Sequence, residues 1–176
     1  KEQGKYFKVL KMALDLLVLS VMHGIETILS RGMLRISWAN FDNIMDQSDH
    51  VHAVIKHFSD MIPTIAENIP KNHFKYMCDH LIITFAHCFM NMVTRCKRIS
   101  HMGAQQLMLD LSTISRDCLK NLINLGDPHR FDEDVHQQFA TLVQQKLAKI
   151  EFILKCVSSP VETLFETFVK LVNQQD

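Results

Sequence analysis

Apolar residues recur along this chain at steps of three and four, the spacing that gathers side chains on one face of an α-helix. From about Lys5 to Ser30 the series is Leu10, Leu14, Leu17, Val21, Ile25 and Leu29. Val9, Ala13, Val18 and Met22 widen that stripe, which predicts a helix packed on more than one side. A connection from Gly32 to Ser48 follows and carries Trp38, placed either as an anchor on the core or in a short helical turn. The second helix is expected over Asp49–Ile69, with Val51, Ile55, Phe58, Ile62, Ile65 and Ile69 inward. Pro63 removes one of its backbone hydrogen bonds, so a kink or break is expected near Met61.

Pro70 ends that element, and Asn72 is the expected N-cap of a third helix reaching about Lys97. Its stripe is Phe74, Cys78, Leu81, Phe85, Cys88, Met92 and Cys96. Ser100 is the expected cap of a fourth helix, whose face Leu107, Leu111, Ile114, Cys118, Leu122 and Leu125 is stopped by Gly126, Asp127 and Pro128. Asp132, Glu133 and Asp134 open the fifth, at the end that favours negative charge. Its stripe is Val143, Leu147, Ile150, Leu154 and Val157. Ser159-Pro160-Val161-Glu162 predicts a capping box for a sixth helix, with Val161, Phe165, Phe168 and Val172 inward. The expected fold is all-α: an elongated antiparallel bundle of about six helices forming one domain over residues 1–176.

Composition narrows the function classes. Five glycines and four prolines in 176 residues are too few for the many turns of a sheet. An apolar content of 47% argues against disorder. Nineteen basic residues balance nineteen acidic ones, so the chain lacks the field that draws a protein onto nucleic acid. The longest apolar run of the first helix, Leu16 to Met22, is interrupted by Ser20, and on that count no spanning segment is expected. Cys78, Cys88, Cys96, Cys118 and Cys156 are odd in number and lack C-x-x-C spacing, which predicts buried free thiols and a cytosolic setting.

Catalytic chemistry finds no foothold. His73, His80 and His87 are spaced by sevens, and two helical turns rise about 10.5 Å, too far for a shared metal. His50, His52 and His57 lack the four-residue spacing of zinc helices. No G-x-S-x-G elbow and no glycine-rich phosphate loop occur. Cys96 lies between Arg95 and Lys97, which would lower its pKa, but its place on the stripe favours burial. No cofactor and no small-molecule substrate are expected. Surface charge remains: Arg95, Lys97, Arg98 and His101 at the third junction, and Lys146, Lys149 and Lys155 along the fifth helix. Ordinary solvated faces account for such groups; functionally, they suit an acidic partner helix or an anionic membrane surface.

The run Cys96-Lys97-Arg98-Ile99-Ser100-His101-Met102-Gly103-Ala104-Gln105-Gln106-Leu107-Met108-Leu109-Asp110 resembles a signature in the C-terminal region of the vacuolar protein sorting-associated protein 53 family. That family carries a cysteine-lysine pair, a serine, then a Gly-Ala-Glu-Gln-Leu-Leu-Leu-Asp run. Gly103 would let the fourth helix approach a neighbour closely at its start. Trp38 to Pro70 and Lys149 to Pro160 are similar to the family in order and spacing. Gln105 and Met108 depart mildly from its glutamate and leucine, and the stretch Asn121 to Pro128 departs more. The resemblance implies a non-catalytic subunit of the Golgi-associated retrograde protein complex and its endosomal sister, built like the helical rods of the CATCHR tethers. Implied partners are the other subunits, SNAREs, a small GTPase and membrane surfaces. The rival expectation is a general adaptor that receives an amphipathic helix in a groove.

Overall fold

The computed structural model describes residues 2–41, 43–44 and 46–172, with the side chains of residues 2, 3, 167, 171 and 172 outside the description. Six α-helices follow in order: α1 (Glu2–Met33), α2 (Asp49–Asn68), α3 (Lys71–Arg95), α4 (His101–Asp117), α5 (Glu133–Val157) and α6 (Leu164–Val172). Short 3-10 turns occupy Trp38–Asn40, Leu119–Asn124 and Val161–Thr163, and no strand occurs among the described residues. The fold is an all-α helical bundle, as the periodicity predicts.

α3 is the central helix, in contact with α1, α2 and α5. Its predicted stripe is only half of what it buries. Met77, Ile82, Ala86, Phe89 and Val93 are also out of solvent, because neighbours cover it on more than one side. α1 and α2 run antiparallel: Gly24 faces His57 and Gly32 faces His50. A Cβ at Gly24 would sit 2.3 Å from the His57 ring and one at Gly32 2.4 Å from the His50 Cβ, so their absence of a side chain sets the close seam. α1 runs parallel to α3, with Asp15 beside His80 and, further along, Glu26 and His87 lining one depression.

The two halves of α1 have different fates. Val21, Ile25, Leu29 and Met33 are fully buried, whereas Tyr6, Phe7, Val9, Met12, Leu16 and Leu19 are exposed. The expectation that the whole stripe packs on more than one side therefore fails for the first half, where Leu17 is itself 36% exposed. α2 begins opposite the end of α1, where Gly32 faces His50. By length and mean hydropathy, 1.7, Gly4–Met33 is long and apolar enough to cross a bilayer, contrary to the reading from its longest run. The run Leu16–Met22 understated it, because apolar residues are spread along the helix with few charges between them. A third of that window is buried inside the bundle.

Several boundaries differ from expectation. α2 continues unbroken through Pro63, since Phe58, Ile62 and Ala66 are packed in the core on both sides of it. Tertiary burial there outweighs one lost hydrogen bond. Its buried face turns toward Val54 and Ala66, leaving Ile55, Ile65 and Ile69 at the edge of the core. Pro70, not Asn72, precedes α3, and its carbonyl accepts from the amides of His73 and Phe74 at 3.0 Å each. α3 ends at Arg95, short of Lys97. α4 stops at Asp117, and the 3-10 segment takes over because three residues per turn keeps Leu119, Leu122 and Leu125 on one side. Gly126, at φ +102°, then turns the chain as expected.

At the C-terminal end the capping box does not form. Ser159 Oγ donates to the Lys155 carbonyl at 2.8 Å, and Val161–Thr163 is a 3-10 turn. Val161 and Phe165 are exposed by 83% and 78%, and Phe168 is half exposed against Phe152. The inward placement of these three is therefore corrected: among the described residues the main neighbour of α6 is α5, which leaves most of its apolar stripe uncovered. The side chain of Val172 lies outside the described residues. Val157, placed on the α5 stripe, is likewise exposed. The accessible surface is 10793 Å². A compact monomer of this mass would expose about 8,800 Å², and the unpartnered ends of α1 and α6 contribute to the excess.

Candidate functional site

The signature segment between α3 and α4 organises one end of the molecule. Ser100 Oγ accepts from the Gly103 amide at 3.1 Å, capping α4 as its position predicts. The same hydroxyl and the Ser100 amide both donate to the Trp38 carbonyl, at 2.9 and 3.0 Å. A Cβ on Gly103 would sit 2.6 Å from that carbonyl. Glycine is thus required for the connection to lie against the first turn of α4, and the partner of the close approach is the Trp38 turn. Trp38 is both anchor and turn: its indole N–H donates to the Met33 carbonyl at 2.8 Å, and its ring is buried against Phe41.

One helical turn beyond Leu107, Asp110 ends the signature in a fully buried position. Its carboxylate accepts from the Ser48 amide at 2.9 Å, the Ser48 hydroxyl at 2.7 Å and Gln106 Nε2 at 3.1 Å. Gln106 also donates to the Asp46 carbonyl at 3.1 Å. Asp110 therefore anchors the residue that precedes α2, from 62 residues away. His50 lies beside it, Nε2 to Oδ2 3.5 Å, without hydrogen-bond geometry. Burial pushes the His50 pKa down, opposed in part by Asp110 and Asp49, so the ring sits neutral in this pocket. At the other end of α2, Arg130 donates to the Ala66 and Ile69 carbonyls and stacks on Phe74. Neither network is visible in the sequence, since each ties together segments about sixty residues apart.

The basic residues of the third junction are brought together only in part. Arg95, Lys97 and Arg98 are exposed and line a groove of about 600 Å³ between the link to α4 and the connection after α1. The structure adds Arg35 to them, and no carboxylate lines the groove among the described residues. Leu34 and Ile36, both partly buried, supply apolar surface to it. His101 does not line this groove; its ring pairs with Gln105 at 2.9 Å on the outside of α4. Lys146, Lys149 and Lys155 are exposed along α5 and form no part of it. Arg35 escaped the sequence reading because it is isolated in its own segment and meets the others only across the fold.

The thiols are free, as expected, though only Cys78 and Cys118 are fully buried. Burial raises the pKa of Cys78 and pushes Cys118 up to about 12 and Cys88 to about 11. Cys96 is raised by burial too, so its basic neighbours do not activate it. No group of three metal-ligating side chains occurs among the described residues.

The chain is 25% identical over 166 residues to vacuolar protein sorting-associated protein 53 A of Arabidopsis thaliana, covering 94% of this chain and 19% of that protein. It is 26% identical over 186 residues to the vacuolar protein sorting-associated protein 53 homolog of Caenorhabditis elegans, covering 100% of this chain and 22% of that protein. It thus spans about a fifth of the length of the curated relatives it matches. No family model matches the chain. No solved structure matches it. Along nearly all of its length the chain is similar to the C-terminal region of vacuolar protein sorting-associated protein 53.

Proposed function

We propose that this chain is a single C-terminal domain of a non-catalytic subunit in a multisubunit vesicle tether of the CATCHR kind, acting in retrograde endosome-to-trans-Golgi transport and in endosomal recycling. The complexes are the Golgi-associated retrograde protein complex and its endosomal sister. The protein works from the cytosol, peripherally at trans-Golgi and endosomal membranes. Its partners are the other subunits, together with SNAREs, a small GTPase or an anionic membrane surface on the carrier. Likeness to two relatives of that name over nearly the whole chain is the observation that carries this reading.

The architecture suits the role. Packed helices transmit position, and the exposed apolar residues of α1 and α6 leave surface for neighbours in an assembly. The basic groove and the α5 lysines Lys146, Lys149 and Lys155 are the charged surfaces on offer. Cells lacking the full-length protein, re-supplied with it either intact or without this region, provide the test. Co-purification of the other subunits should survive the deletion, while delivery of endosome-derived carriers to the trans-Golgi network should fall. Normal delivery without the region would sink the proposal.

A further inference from the structure

We infer that the groove between the Trp38 connection and the α3–α4 link is a docking site for an extended peptide segment that alternates acidic and apolar residues. Four cations, Arg35, Arg95, Lys97 and Arg98, line it without a carboxylate among the described residues. None of the four makes an ion pair or a hydrogen bond among the described residues, so their charge is uncommitted within that set. The ends of α1 and α3 meet here, and cations commonly complement the negative end of a helix. Arg35, Lys97 and Arg98 lie past the last helical residues, Met33 and Arg95, and among the described residues none of the four donates to a terminal carbonyl, so they remain open to a ligand's carboxylates as well.

The shape and lining choose the partner. A volume of about 600 Å³ is that of a ligand-sized cleft, roughly 300–1,000 Å³. A bilayer is flat and would touch only its rim, leaving Leu34 and Ile36 uncovered. A peptide strand reaches both the cations and the apolar surface. Three of the four cations are arginines, whose planar guanidinium forks match carboxylates in pairs of parallel hydrogen bonds. Trp38, the sole tryptophan, underlies the groove with its ring buried, so its emission reports on any shift of the connection that docking brings. The site is a property of the folded chain and is tested without any other subunit, so its failure and that of the tethering proposal are distinguishable.

The probes are a short fluorescein-labelled peptide alternating Glu or Asp with Leu or Phe, the same peptide with serine in the apolar positions, and vesicles of phosphatidylcholine and phosphatidylserine. They are mixed with the 176-residue chain, with anisotropy, Trp38 emission and vesicle flotation as readouts. The acidic-apolar peptide should bind, shift Trp38 emission and exceed the serine version in affinity. Combining Arg35→Glu with Lys97→Glu should weaken it by roughly tenfold or more. Lys8→Glu with Lys11→Glu, an equal charge change on exposed residues of α1, should leave it within about twofold. Circular dichroism checks that each variant keeps its helices. Absence of peptide binding, equal weakening by both double variants, or groove-dependent binding of vesicles without peptide binding would each overturn the inference.

Discussion

The carboxylate of Asp110, midway along α4, holds both the amide and the hydroxyl of Ser48 at the entrance to α2, at 2.9 and 2.7 Å. Two segments that are far apart in the chain are thereby locked at one point. Removing one partner of a buried, charged hydrogen-bond set strands the others. Asp110→Ala should therefore cost about 3 kcal/mol and lower the melting temperature by roughly 6–12 °C. Ser48→Ala, which keeps the amide bond, should cost about 1 kcal/mol. Thermal melts of the two variants check the order; equal losses would show that the amide contact contributes nothing.

Glycine substitutions separate packing from helix propensity. At Gly4 a Cβ meets nothing within 4 Å, so Gly4→Ala should stabilise by about 0.5–1 kcal/mol. At Gly103 the same change drives a methyl into the Trp38 carbonyl, which is backbone and cannot swing away. A net loss of about 1–3 kcal/mol is expected, with a red shift of Trp38 emission as the connection lifts. Denaturant titration with fluorescence detection measures both.

His50 makes stability depend on pH in a stated direction. Its folded pKa lies below the ordinary 6.5, chiefly through burial, so below that pH the unfolded chain binds the proton more readily. Its contribution is fully present above about 6.5 and is lost as pH falls from there toward the lowered value. Replacing it by glutamine should flatten this part of the stability profile, whatever it costs overall. An unchanged slope between neutral and mildly acidic pH would rule His50 out as its origin.

Thiol labelling reads the core. Cys78 and Cys118 should resist iodoacetamide at neutral pH while the chain is folded, because both are buried with raised pKa values. Cys88, with a pKa of about 11, should react slowly, and all five should label in denaturant. Mass spectrometry of timed samples gives the order.

The exposed apolar face of α1 makes a different kind of prediction. Leu16→Gln and Val9→Gln should change stability by less than about 0.5 kcal/mol, since neither side chain is packed. Both should reduce binding of a hydrophobic dye and raise solubility. A large loss of stability in either would mean that this face is covered in solution.

The sequence by itself determined that this chain is helical, where each helix begins to within a few residues, and which serine caps α4. Those properties are local: they follow from the spacing of apolar residues along each segment and from groups three residues apart, such as Ser100 and Gly103. It also carried the signature through which Gly103 and Asp110 stand out. Only the tertiary structure decided that Pro63 is tolerated, that Phe165 faces outward, that Asp110 receives Ser48, and that Arg35 joins Arg95, Lys97 and Arg98. Each of these depends on what another segment places opposite the residue. A periodic stripe states that a face is apolar, whereas burial requires a second surface to cover it.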